Sequence, residues 1–248
     1  MEDTFLSHLI ELRGRLVKAV VAVLAVFAVL SFWAGDIYDV LAQPMLQTLP
    51  EGTRMIATGV VTPFFVPIKV TLLVAFVVCL PVVLFQAWAF IAPGLYAHEK
   101  RIALPLVMGS TLLFLIGMAF CYFFVFGTVF KFIAEFAPKS ITPAPDIEQY
   151  LSFVMTMFLA FGLTFEVPVI VVLLTKAGVV DVDKLKEGRP YVIVGAFVVA
   201  AIITPPDVIS QFMLAVPMWL LYELGIVVAR SISRPSAGAD IVPKAEEP

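Results

Sequence analysis

Six stretches of the chain are dominated by apolar residues, at about 16–34, 64–91, 102–132, 151–175, 191–203 and 208–229, and each is bounded by charged or proline-rich links. Runs of about 20 apolar residues match the rise of a helix across a hydrocarbon core of about 30 Å, where every backbone polar group must be paired within the segment. The pattern predicts an all-α polytopic membrane protein with six transmembrane helices, folded as a single integral membrane domain over residues 1–248.

Residues 1–15 place Phe5, Leu9 and Leu12 at helical spacing among Glu11, Arg13 and Arg15, which predicts an interfacial helix leading into the first span. That span is expected to stay in the mature protein. Its core is longer than a signal-peptide h-region, and Phe32-Trp33-Ala34 lacks a small residue three places before a cleavage site. Residues 36–49 alternate apolar and polar up to Pro44 and Pro50, as a surface segment does. The second span should kink near Pro81, and Lys69 near its end can snorkel. The third run is long, about 45 Å at helical rise, so it must tilt or project. The fifth is short, about 20 Å, and the sequence TPPD at 204–207 turns it sharply into the sixth. Residues 231–248 read as a disordered tail.

In the fourth run, the only ionisable side chain between Leu151 and Leu174 is Glu166, about 5 Å from the midpoint of the span by rise counting. A charge at that depth costs about 2.5–3.5 kcal/mol on insertion scales, so the group should face other helices or trapped water. At roughly 100° per residue, Ser152, Thr156, Leu159, Leu163 and Glu166 share one stripe, which is expected to point inward.

Composition fits a membrane protein: 61% of the 248 residues are hydrophobic and 14% charged, at a mean hydropathy of +1.03. With six spans, twelve Lys and Arg residues fall on the side of the N-terminus and four (Arg54, Lys69, Lys131, Lys139) on the other, so both termini are expected in the cytoplasm. Cys79 and Cys121 lie inside apolar runs and read as buried small residues. His8 and His98 are far apart and nominate no metal site, and no phosphate-loop, dinucleotide, zinc-protease or paired CxxC motif is present.

Two acids near helix ends, Glu11 and Glu99, have two readings. Glu11 can pair with Arg15 at i,i+4, and Glu99 can be neutralised by Lys100 and Arg101, in exposed pairs contributing a few tenths of a kcal/mol. Alternatively they accept a cationic ligand, since carboxylates bind guanidinium groups bidentately. A proton-coupled transporter would also use a mid-membrane carboxylate, but spans one to three do not resemble spans four to six. An intramembrane enzyme would need Glu166 close to Glu223.

The strings HLIELRGRL (8–16), FIAPGLYAHEKR (90–101), SFVMTMFLAFGLTFEVPV (152–169), RPYVIVGAFVVAAIITPPD (189–207) and SQFMLAVPMWLLYE (210–223) resemble, in order and spacing, the TatC family of the twin-arginine protein translocase. The resemblance implies a cupped, glove-like fold and a receptor function in the bacterial cytoplasmic membrane. Such proteins bind twin-arginine signal peptides of folded cargo and export it with TatA-type and TatB-type single-span partners, using the protonmotive force. Self-association into a multi-copy receptor complex within the lipid bilayer goes with it, without cofactor or nucleic acid. By motif match, Glu11 and Glu99 would receive the two signal arginines, and Arg13, Phe90, Pro93, Leu95 and Tyr96 would shape the same surface. Glu166 would be the intramembrane acid, Pro44 a sensitive outer-loop proline and Asp207 the acid of the last outer turn. Thr204 and Gln211 would be where partner helices dock. Gly14 departs from the pattern, standing where a basic residue is common.

Overall fold

The computed structural model describes residues 2–47, 55–91, 100–136, 138, 144–204 and 207–232, and these are almost wholly helical. α1 (Glu2–Leu30) runs through a 3-10 turn at Ser31–Trp33 into α2 (Ala34–Leu46). After α3 (Thr62–Val78) and α4 (Leu80–Ile91) come α5 (Lys100–Phe120), a π-helical turn at Cys121–Val125 and α6 (Phe126–Phe136). The order closes with α7 (Ile147–Phe165), α8 (Val167–Lys176), α9 (Val182–Glu187), α10 (Arg189–Ile203) and α11 (Val208–Ile232).

Four helical stretches are long and apolar enough to cross a membrane: Leu9–Leu46, Leu104–Phe136, Ile147–Lys176 and Val208–Ile232. The pair Thr62–Val78 and Leu80–Phe90, bent by 62°, supplies a fifth, and Arg189–Ile203 is a shorter apolar helix. Prolines set the breaks. Pro81 cannot donate to the carbonyl of Val77, so α3 ends at Val78 and the chain bends at Cys79 before α4. Pro168 likewise cannot close onto Thr164, and α7 gives way to α8 at Glu166. The 36–49 segment, read as a surface link, is helical as far as Leu46 despite Pro44. Of residues 231–248, expected to be disordered, Ser231 and Ile232 continue α11, and 233–248 lie outside the described residues.

α7 is the centre of the bundle. Nine of its residues are buried, and its Val154, Met157, Phe158 and Phe161 pack with Cys121, Val125, Phe126 and Val129 from the π turn and α6, and with Ala196, Ala200 and Leu214 from α10 and α11. Close approach of α5 and α7 depends on two glycines. A Cβ on Gly117 would sit 2.6 Å from the Phe161 carbonyl, and one on Gly162 would collide with the Phe114 ring. α1, by contrast, has no buried side chain among its described residues 9–30, and rests along α3 and α4. Both cysteines are buried and free of disulfides.

The links before α3 and α7 are joined by a short parallel bridge in which Ile56 N–H donates to the Pro145 carbonyl (3.0 Å) and Ile147 N–H to the Ile56 carbonyl (2.9 Å). Asp146 ties it down. Its Oδ1 caps α7 by accepting from Glu148 and Gln149 N–H, while Oδ2 accepts from Thr58 N–H and the Thr58 hydroxyl. Beside it, Lys69 donates to Glu148 at 2.8 Å, so its ammonium meets a carboxylate rather than only reaching for water. The Thr58 hydroxyl first, then the Thr58 and Gln149 N–H groups, hold the Asp146 carboxyl down at about 2. A depressed acid contributes stability above its unfolded value and loses it as pH falls through its folded one. The junction should therefore stay closed at pH 4 and open only as pH approaches 2, read as protection of the Thr58 amide from hydrogen exchange. Loss of protection between pH 6 and 4 would contradict it.

Candidate functional site

Glu166 is 3% exposed, although it sits in a chain segment of almost pure hydrocarbon character. It caps α7 with dihedrals still in the helical region (φ −76°, ψ −15°), and Pro168 two residues on opens α8. Of the stripe that the sequence places with it, Ser152, Thr156, Leu159 and Leu163 are exposed, Leu163 at 61%, whereas Glu166 is buried.

What receives Glu166 is a polar chain from two other helices. Trp88 Nε1 on α4 donates to Ser110 Oγ on α5 at 2.9 Å, and the Ser110 hydroxyl donates to Glu166 Oε2. The indole N–H can only donate, which leaves the Ser110 hydroxyl proton free to go on to a Glu166 carboxylate. Glu166 Oε1 and Thr111 Oγ1, the latter next to Ser110 in sequence, are buried without a hydrogen-bond partner among the described residues. Sequence reasoning missed Trp88 and Ser110. The available signal was that an indole within an apolar span needs an acceptor.

Of the two acids near helix ends, α1 carries Glu11. Glu11 is half-exposed, and its Oε1 accepts from Arg15 Nε at 3.0 Å and Nη2 at 2.6 Å. Arg13 is exposed on the same helix, and the position of Gly14 is open, so packing does not demand a glycine there. Phe90 is partly buried near the end of α4. Pro93, Leu95, Tyr96 and Glu99 lie outside the described residues. Glu223 is held by Arg189 at 2.7 Å, so Glu166 and Glu223, the pair an intramembrane enzyme would need, each have their own partner. Close by, Tyr222 Oη donates to the Leu185 carbonyl at 2.8 Å and ties α9 to α11. Among the described residues no cluster of His, Cys, Asp or Glu is arranged to hold a metal.

At the turn between α10 and α11, Asp207 Oδ1 accepts from Ser210 N–H at 2.6 Å and caps the start of α11. Thr204 is buried and donates to the Ala200 carbonyl, while Gln211 Nε2 donates to the Phe197 carbonyl across the two helices. The polar groups of both residues are thus used inside the chain. The exposed side of the turn is apolar: Ile202, Val208 and Phe212. Pro44 is half-buried inside α2.

Apolar helices of this number and length, packed around a buried carboxyl, define a multi-pass integral membrane protein. A family model for the Sec-independent protein translocase protein (TatC) matches residues 7–217. The chain is 56% identical over 220 residues to a Sec-independent protein translocase protein TatC of Azotobacter chroococcum mcd 1, covering 89% of this chain and 86% of that one. It is 51% identical over 232 residues to the Escherichia coli K12 protein of that name, covering 93% and 90%. A crystal structure described as the twin arginine translocase receptor TatC superposes with a TM-score of 0.78 at 41% identity, over 90% of this chain and 98% of that one. The chain belongs to the TatC family: it is a membrane component of the Sec-independent protein translocase and not an enzyme.

Proposed function

We propose that this chain is the receptor and core subunit of a twin-arginine translocase, seated in a bacterial cytoplasmic membrane with both termini inside. The asymmetry of twelve basic residues against four supports that orientation. On the cytoplasmic face Glu11 and Glu99 accept the paired arginines of a signal peptide, and Arg13, Phe90, Pro93, Leu95 and Tyr96 form the surface around them. Folded cargo then leaves with the help of TatA-type and TatB-type single-span partners, driven by the protonmotive force. These partners dock along the α10–α11 turn, where Thr204 and Gln211 brace the turn from within and Ile202, Val208 and Phe212 face outward. Several copies associate in the receptor complex.

The observation that carries this reading is the Glu11 carboxylate itself. A single oxygen already takes two donors of one guanidinium, in a pair so exposed that it contributes only a few tenths of a kcal/mol. An incoming arginine therefore meets an acceptor of suitable geometry, and displacing Arg15 costs little. Glu11→Gln and Glu99→Gln keep side-chain volume and remove the anion. Each should weaken binding of a twin-arginine peptide about ten-fold and flatten its salt dependence, as expected for loss of a charged hydrogen bond. Unchanged affinity and salt slope in both variants would end the proposal.

A further inference from the structure

Pro44 lies inside α2, where its missing N–H leaves the carbonyl of Val40, four residues earlier, without the donor a regular helix would supply. That carbonyl is not left open. Tyr122 Oη donates to it at 3.0 Å, and Tyr150 Oη donates to the next carbonyl, Leu41, at 2.9 Å. The two hydroxyls come from different places in the chain. Tyr122 is the second residue of the π turn between α5 and α6, and Tyr150 lies in the first turn of α7.

Both rings are held by aromatic neighbours. The Tyr122 ring stacks on Phe158 with centroids 6.4 Å apart, and the Tyr150 ring lies 5.7 Å from Phe130. The π turn keeps Cys121 and Val125 fully buried while Tyr122 between them reaches α2. Three irregularities of sequence thus converge on one junction: a proline within a helix, an extra residue in another, and a tyrosine at the start of a third.

We infer that Tyr122 and Tyr150 are positioning residues that latch the α1–α2 arm to the core of the bundle through the backbone carbonyls around Pro44, and that this latch keeps the arm placed for transport. The arm needs such a device. α1 has no buried side chain among residues 9–30, and α2 buries only Ala42, so packing alone holds the arm loosely. Partly buried Ile37, Tyr38 and Leu41 add apolar contact, but apolar contact is non-directional, whereas two hydrogen bonds to adjacent carbonyls fix both position and rotation. The transport part of the inference rests on the proposed function; the mechanical part does not.

The test compares the full-length chain in lipid bilayers with Tyr122→Phe, Tyr150→Phe, Pro44→Ala and the pair Pro44→Ala with Tyr122→Phe, all of which keep ring packing or helix. Spin labels on α2 and α7 read the distance between the arm and the core, and a twin-arginine cargo reads transport. Each Tyr→Phe change should broaden the distance distribution and lower transport about five-fold, the factor one neutral hydrogen bond represents, with peptide binding unchanged. Pro44→Ala supplies an N–H to Val40 within the helix, but a carbonyl oxygen has two lone pairs and can keep the Tyr122 hydroxyl as well, so the arm should stay placed in that variant and Tyr122→Phe should broaden the distribution in either background. The inference is overturned if the Tyr→Phe variants keep a narrow distribution. It is equally overturned if the arm loosens and transport is undiminished. A wild-type chain that moves no twin-arginine cargo would count against the proposed function instead, while the distance measurements would still decide the latch.

Discussion

Alanine at Ser110 should destabilise the bundle by about 1–3 kcal/mol, more than any surface substitution, because it strands two buried groups at once. Trp88 Nε1–H loses its acceptor and Glu166 Oε2 loses its donor, while Glu166 Oε1 already has no partner among the described residues. In a membrane, interhelical hydrogen bonds average about 0.6 kcal/mol by double-mutant cycles, so the lower half of that range is expected if water or lipid headgroups reach the stranded atoms. Glu166 variants separate charge from hydrogen bonding. Glu166→Gln retains a carbonyl oxygen that can accept the Ser110 hydroxyl, whereas Glu166→Leu leaves that hydroxyl and the indole behind it without an end to the chain. Stability in detergent titration should therefore fall in the order wild type, Gln, Leu. The coupling between Ser110→Ala and Glu166→Leu should be large, because the second change removes a bond the first has already broken. Additive losses, or a Leu variant more stable than Gln, would mean that the three groups do not act as one unit.

The parts of this structure that were readable from sequence are those governed by single residues or by one-dimensional length. Apolar run lengths mark the helices, and the short fifth run corresponds to the 15 residues of α10. Pro81 marks the bend at Cys79, which is local chemistry acting on its own neighbours. Where reading failed, it failed for a stated reason. Glu166 is buried as its cost in hydrocarbon demands, while Ser152 and Thr156 on the same stripe are exposed, because exposure along one helix depends on which neighbours cover each turn.

Pairing between distant helices was not readable in principle. Ser110 meets Glu166 across 56 residues, and Tyr122 and Tyr150 reach α2 across 82 and 109. Nothing in a single sequence says which helix an indole or phenol will lie against. Glu11 shows the opposite case, in which the local i,i+4 pairing with Arg15 that the sequence allows is present, an exposed pair contributing only a few tenths of a kcal/mol.

Lengthening α10 by one turn or two should abolish transport without unfolding the protein or weakening signal-peptide binding. Its 15 residues span about 22 Å at helical rise, roughly 8 Å less than an undeformed hydrocarbon core. Only four residues, 204–207, join it to α11, and Asp207 caps the start of that helix. Mismatch costs fractions of a kcal/mol per Å, so the bilayer beside this pair is thinned at a cost of a few kcal/mol or the pair is shielded by neighbouring protein. Exposure favours thinning: Val194, Val198, Ile202, Val208 and Phe212 are all open on this side of the molecule. A patch already thinned lowers the barrier to opening a path for folded cargo, and single-span partners assembling there would share the deformation. Inserting four to seven apolar residues before Ile203 restores a normal span and removes the strain. Glu11 and Glu99 lie elsewhere in the chain, so peptide affinity should hold while cargo export falls to background. An inserted variant that folds stably and exports cargo at the original rate would rule out thinning at α10 as part of the mechanism.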